Sequence, residues 1–157
     1  MDTPRIGGTY HFLIVGIDGY SSRETRLAGC VNDAEAVVEF LAECGMDNQE
    51  LSQGLFLAPR DSQIRPYPFA LPTRKNLVDR LETIAAKAGA DDHVWIFYSG
   101  HGTQRIHSDP NSMAVFEALV PLDFDDGGAD LLYDFELARL LAQIGARTRS
   151  VTLILDC

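Results

Sequence analysis

An α/β fold with a mostly parallel central sheet and helices on both faces follows from three observations. Short apolar runs rich in branched or aromatic residues recur along the chain: Phe12 to Ile17 (FLIVGI), Val94 to Tyr98 (VWIFY) and Val151 to Leu155 (VTLIL). Such continuous runs suit strands buried on both faces. Segments with apolar residues at helical spacing lie between them, bounded by capping residues and glycines. Strands alternating with helices imply parallel pairing and a covered sheet. The chain has 157 residues, against a prior of roughly 150 per domain, so residues 1–157 are read as one domain with an N-terminal tail at 1–9. A chain of this length buries about two-thirds of its unfolded surface and needs no disulfide staples.

The elements run in order as follows. FLIVGI is the first strand. Gly16, Gly19 and the polar stretch Ser21 to Arg26 follow. Asn32 or Asp33 then caps a helix, with Glu35 completing a capping box from Asn32. Its apolar face is Ala34, Val37, Val38 and Leu41, and Gly45 stops it. Leu55 to Leu57 is a second, short strand. Arg60 to Leu71, with Pro66, Pro68 and two arginines, is a loop. Thr73 caps the next helix, whose inward face is Leu77, Leu81, Ile84, Ala85 and Ala88, ended by Gly89. VWIFY is the clearest strand. Leu119 and Val120 form a shorter one, stopped by Pro121. Asp134 caps a third helix with Leu137, Leu140, Leu141 and Ile144 inward, and VTLIL is the last strand, with both faces expected to be buried.

Lys and Arg number 13 against 23 Asp and Glu, a net charge of −10. That excludes non-specific binding to nucleic acid or an anionic membrane, which needs positive charge, and suits cationic peptides or metal cations. No apolar run reaches the roughly 18 residues of a membrane helix. The start of the chain lacks the apolar core of a signal peptide, so a cytoplasmic protein is expected. The three cysteines, Cys30, Cys44 and Cys157, form no CxxC pair and no disulfide framework. Cys44, near a helix end, is expected in the core.

In open parallel sheets the ligand site lies beyond the carboxyl ends of the strands. Ser99-Gly100-His101-Gly102 follows VWIFY, Asp156-Cys157 follows VTLIL, and Asp18-Gly19-Tyr20 follows FLIVGI, leading to Gly29-Cys30-Val31-Asn32-Asp33. A histidine and a cysteine at neighbouring strand ends can make a nucleophile–base pair, because the imidazole favours the thiolate. The plain alternatives are a loop histidine and a small buried residue ending a strand.

FLIVGIDGY, LAGCVNDA, VWIFYSGHG and LILDC, taken together and in this order, resemble the caspase-like cysteine peptidases, closest to the metacaspase and bacterial orthocaspase branch. The resemblance runs from about Tyr10 to Cys157. The 56 positions from His101 to Cys157 fit it too, since caspase histidines stand about 50 residues ahead of the cysteine. The resemblance implies a caspase-like fold, with His101 as the catalytic histidine and Cys30, Asp33, Ser99 and Asp156 lining the specificity pocket. Two carboxylates there imply cleavage after Arg or Lys, because a guanidinium binds two carboxylates well. Asp33 as a plain helix cap is the alternative.

The family pattern places one residue between the aspartate and the nucleophile, whereas Asp156 is followed directly by Cys157. Kept register makes Cys157 the middle of an Asp-Cys-Cys run with the nucleophile next. Shortened spacing makes Cys157 the nucleophile. The first reading keeps the spacing of every other motif. The family also places small-subunit strands after the catalytic cysteine. The chain is therefore expected to be the large-subunit portion, with a downstream segment or second chain pairing alongside VTLIL.

Asp123, Asp125, Asp126, Asp130 and Asp134 crowd a twelve-residue stretch. Gly127 at the fifth loop position and Asp134 at the twelfth exclude an EF-hand. Many metacaspases bind calcium nearby, which makes Asp123 and Asp134 candidate ligands by resemblance. Phe135 replaces the usual next acid, and a solvated acidic loop is the alternative. No cofactor is expected to be required. The resulting reading is a cysteine endopeptidase with a Cys–His dyad and an oxyanion site of backbone N–H groups near Gly102. The alternative is a catalytically silent caspase-like binding or regulatory module. With no GxGxxG and no P-loop, a flavodoxin-like nucleotide binder is the weakest reading.

Overall fold

The computed structural model describes residues 7–46, 49–61, 63–109, 112–125 and 130–157. Its centre is a wholly parallel sheet of four strands: β1 (Tyr10–Ile17), β2 (Leu55–Ala58), β3 (His93–Ser99) and β7 (Ser150–Asp156). Their order is β2-β1-β3-β7. The side chains of β1 alternate between two cores. Phe12 and Ile14 pack with Val31, Ala34, Val38 and Leu41 of α1 (Cys30–Glu43) and with Leu51 of the short α2 (Gln49–Gln53). Leu13, Val15 and Ile17 pack with Leu77, Leu81 and Ile84 of α3 (Arg74–Lys87) and with Leu137, Leu140 and Ile144 of α4 (Asp134–Gly145). The two-residue repeat of a strand makes this double burial, so helices cover both faces as expected.

Beside the sheet lies a small antiparallel sheet of β4 (Gly102–Asp109), β5 (Ser112–Leu119) and β6 (Leu132–Tyr133). Only its end, Leu119, falls in the strand read from sequence. The rest escaped because a ribbon with a wet face carries no continuous apolar run: Ile106 and Val115 are more than half exposed.

Three further expectations are corrected. Helix α1 begins at Cys30 with Gly29 (φ +123°) at the N-cap, so Asn32 and Asp33 lie inside its first turn. Its first N–H groups are taken by Asp18, from the end of β1: Oδ1 accepts from Cys30 N at 3.0 Å and Oδ2 from Val31 N at 3.4 Å. Asp134 is the first residue of α4 rather than its cap, which is Tyr133. Cys44 is exposed, just past the end of α1, and not in the core. The Thr73 cap holds, its side chain accepting from Asn76 N.

The last strand departs most from expectation. β7 pairs with β3 alone and forms the sheet edge. Val151, Leu153, Ile154 and Leu155 are 36–43% exposed. Among the described residues, nothing covers its outer side in the way α1, α3 and α4 cover β1.

Candidate active site

The carboxyl ends of β1, β3 and β7 bring the singled-out residues together. Ser99 ends β3 and stands in register with Asp156, the end of β7. The Ser99 hydroxyl is 1% exposed and lies 3.4 Å from Asp156 Oδ2 and 3.5 Å from Asp33 Oδ2. Its single proton thus serves two carboxylates that converge from β7 and α1. Asp33 and Asp156 are both open to solvent. Cys30, half-buried, sits among them. Burial pushes its thiol pKa up, Asp18 and Asp33 add to the rise, and the Ser99 hydroxyl opposes it. Cys30 therefore stays a neutral thiol beside the solvent-facing carboxylates of Asp33 and Asp156.

The cap made by Asp18 explains why Asp33 is available. Had Asp33 capped the helix, its carboxylate would have turned to the backbone. With Asp18 in that role, Asp33 faces Ser99 and solvent. Sequence reasoning placed Asp18 at a strand end but did not foresee it as the cap of α1.

His101 stands two residues beyond Ser99. Its Nε2 lies 2.7 Å from the Thr25 carbonyl oxygen. A carbonyl only accepts, so Nε2 carries the proton and Nδ1 is left as the basic nitrogen. Thr25 was not foreseen either, because a backbone contact leaves no mark on residue type. Cys157 lies on the other side of the loop: a Cβ built on Gly102 would be 3.2 Å from Cys157 Sγ. Burial raises the Cys157 thiol pKa, and Asp156 and Glu117 raise it further. Among the described residues no hydrogen bond joins His101 to Cys157. Gly102, Glu117, Leu119, Leu132, Leu137, Leu155 and Cys157 line a cleft of about 480 Å³ beside this end of β7.

Residues 11–157 match the family described as metacaspase, peptidase C14 domain. The chain belongs to the metacaspase family. It is 31% identical to metacaspase-5 of Trypanosoma cruzi over 155 residues, covering 99% of this chain and 33% of that protein. It is 28% identical to metacaspase-3 of the same organism, covering 97% of this chain and 40% of the relative. It is 27% identical to a protein of Trypanosoma brucei brucei called inactive metacaspase-4, covering 96% and 40%. The chain thus spans about a third to two-fifths of the length of these relatives. A crystal structure of a protein from Geobacter sulfurreducens shares the fold, with a TM-score of 0.61 at 21% identity over 94% of this chain and 48% of that one. The four-stranded parallel sheet flanked by helices is therefore a caspase-like fold.

The two candidate calcium ligands, Asp123 and Asp134, both accept backbone N–H groups. Asp123 Oδ1 accepts from the Arg74 backbone N–H at 2.8 Å, capping α3. Asp134 Oδ1 accepts from Phe135 N at 2.7 Å. Phe135 stacks on Tyr133 at 5.5 Å and meets Phe116 edge-on. The neighbouring Glu136 is held by the Arg74 guanidinium at 2.6 Å. Among the described residues no group of three or more His, Cys, Asp or Glu side chains is placed to hold a metal. Asp126, Gly127 and Gly128 lie outside the described residues. Among the described residues, no helix is long and apolar enough to cross a membrane.

Proposed function

We propose that this metacaspase-family chain carries the histidine and the specificity pocket of a cysteine endopeptidase that cuts after Arg or Lys. The observation that carries the reading is the Ser99 hydroxyl set between Asp33 and Asp156, with His101 two residues away. A guanidinium entering there meets two carboxylates in bidentate reach, whereas an acidic side chain meets like charge. His101 Nδ1 takes the proton of the nucleophilic thiol. The thiolate then bonds to the scissile carbonyl carbon, and the oxyanion is held by backbone N–H groups near Gly102. Collapse breaks the C–N bond, and the imidazolium returns the proton to the leaving amine. Water then hydrolyses the thioester, with His101 as base. In this proposal the nucleophile is the residue after Cys157 in an Asp-Cys-Cys register, which keeps the spacing of the other motifs. Cys157 itself is the alternative.

The exposed β7 edge supports a second part of the proposal: a small-subunit segment pairs alongside β7 and completes the pocket. A long apolar edge strand without cover is an invitation to pairing. Three free thiols, Cys30, Cys44 and Cys157, suit a reducing, cytoplasmic setting. Calcium acts at most as a modest activator. A positional peptide library on the complete protein tests the specificity: Arg and Lys should dominate the position before the cut, and a preference for Asp overturns it. Residues 1–157 alone should be silent towards an Arg reporter and active once the segment is supplied. Full activity of the isolated chain would make Cys157 the nucleophile. A silent module remains the second reading, favoured by the inactive relative, and an inactive complete protein would establish it.

A further inference from the structure

Two buried phenols hold the loop that carries His101. Tyr20 comes from the turn after β1 and Tyr98 from β3, and they are 4% and 2% exposed. The Tyr20 Oη accepts from the His101 backbone N–H at 2.9 Å and donates to the Val120 carbonyl at 2.9 Å. The Tyr98 Oη reaches the Val120 carbonyl at 2.9 Å and the His101 carbonyl at 3.0 Å. The Val120 N–H also donates to the His101 carbonyl, at 3.0 Å. Both peptide groups flanking the His101 Cα are therefore fixed. The Tyr20 ring packs against the imidazole itself, with centroids 4.8 Å apart and planes tilted by 46°.

We propose that Tyr20 and Tyr98 form a phenol clamp that positions His101 for catalysis. The clamp rests on the peptidase reading above and adds two positioning residues to it. It fixes the backbone on both sides of His101 while Thr25 fixes Nε2, so the Nδ1 direction is set before substrate arrives. Preorganisation of this kind matters because a misplacement of about 1 Å at a reacting group can cost on the order of 100-fold in rate. The clamp also accounts for Gly100: a Cβ there would stand 2.9 Å from both phenol oxygens. Burial holds the Tyr20 hydroxyl up at about 12 and that of Tyr98 well above its usual value, so both remain protonated donors throughout the neutral range.

Tyr20→Phe and Tyr98→Phe test it, because each keeps the ring and removes the hydroxyl. In the complete protease, each variant should lower kcat by about 10- to 100-fold with KM within about twofold. The double variant should lose less than the product of the two, since both hydroxyls share the Val120 carbonyl. A second measurement does not depend on turnover. The His101 amide of Tyr20→Phe should exchange with solvent at least roughly tenfold faster, while the amides of β1 keep wild-type protection. Unchanged kcat and unchanged His101 exchange in both variants would overturn the clamp. So would faster exchange spread equally over β1, which marks general destabilisation. A complete wild-type protein that cleaves no Arg or Lys peptide removes the peptidase reading, and the exchange measurement still decides whether the phenols hold His101.

Discussion

β1 and β7 carry the same kind of sequence and meet opposite fates. Each is an apolar run followed by an aspartate: FLIVGI before Asp18, VTLIL before Asp156. β1 pairs with β2 and β3 and is covered by helices on both faces, and seven of its eight residues are buried. β7 pairs with β3 alone, and four of its apolar side chains are 36–43% exposed. The aspartates diverge in the same way. Asp18 is 8% exposed and is consumed by the N–H groups of α1. Asp156 is open and shares the Ser99 hydroxyl with Asp33. A central strand thus hands its terminal carboxylate to structure, and an edge strand leaves it open to solvent. An apolar run reports affinity for a sheet and not a place within it.

The contrast breaks most sharply by truncating one side chain in each strand. Ile14→Ala should cost about 2–5 kcal/mol of stability, because Ile14 is fully enclosed and leaves a cavity. Ile154→Ala should cost less than about 1 kcal/mol in the isolated chain, as a half-wet side chain loses little on truncation. Urea denaturation measures both, and equal losses would mean that β7 is covered in solution. Supplying the complementing segment should raise the cost of Ile154→Ala.

The aspartates give the next largest effect. Asp156→Ala and Asp33→Ala should each lower kcat/KM on Arg substrates by about 100-fold or more, since removing one of two charged partners costs on the order of 3 kcal/mol. Their melting temperatures should stay near wild type. Asp18→Ala should do the reverse first, lowering stability by about 1 kcal/mol through the lost cap. Asp18→Asn, which keeps one acceptor oxygen, should recover much of that. Normal turnover in Asp156→Ala would remove Asp156 from the pocket.

A smaller effect distinguishes the opposite ends of these strands. Below β1, Asp92 accepts from Thr9 N at 2.7 Å and Gly89 N at 2.8 Å and pairs with His11 Nε2 at 3.0 Å. Burial alone would raise its carboxyl pKa, but the two N–H groups and the imidazole outweigh it and hold the value down at about 2, against 3.8 ordinarily. A carboxyl lowered on folding stabilises fully above its unfolded pKa and loses that contribution as pH falls through the folded one. Wild-type stability should therefore drop between about pH 4 and pH 2 in part through Asp92. Asp92→Asn should be less stable at pH 7 and show a flatter slope in that window. Denaturant titrations across pH measure it, and an unchanged slope would mean that Asp92 is not the group responsible. At the foot of β7, Ser150 meets His93 Nδ1 at 2.7 Å, with no carboxylate in that bond.

Calcium should have the least effect. Asp123 and Asp134 already hold backbone N–H groups, and Phe135 lies in an aromatic cluster. Added calcium should change cleavage by about twofold or less, and calorimetry should find no micromolar site. A micromolar site whose removal abolishes cleavage would contradict this.

Much of the molecule was fixed by residues close together in sequence. The strands at FLIVGI, VWIFY and VTLIL, the helical faces around Val38, Leu81 and Leu140 and the Thr73 cap all rest on period and neighbours, which a linear pattern displays. The site was legible for the same reason: His101, Asp156 and the Cys30–Asp33 segment each follow a strand, and parallel strands bring their carboxyl ends to one rim. Tertiary structure decided what depends on partners far along the chain. Asp18 reaches twelve residues to cap α1 and frees Asp33. Thr25 meets His101 across 76 residues, and Tyr20 meets Val120 across 100. The β4–β5 ribbon shows too little apolar periodicity to be read in advance, and the edge position of β7 is a property of strand order. Local periodicity reports the preference of a segment for an element. Burial, capping between distant segments and strand order are set by which surfaces meet, and those contacts exist only once the sheet has assembled.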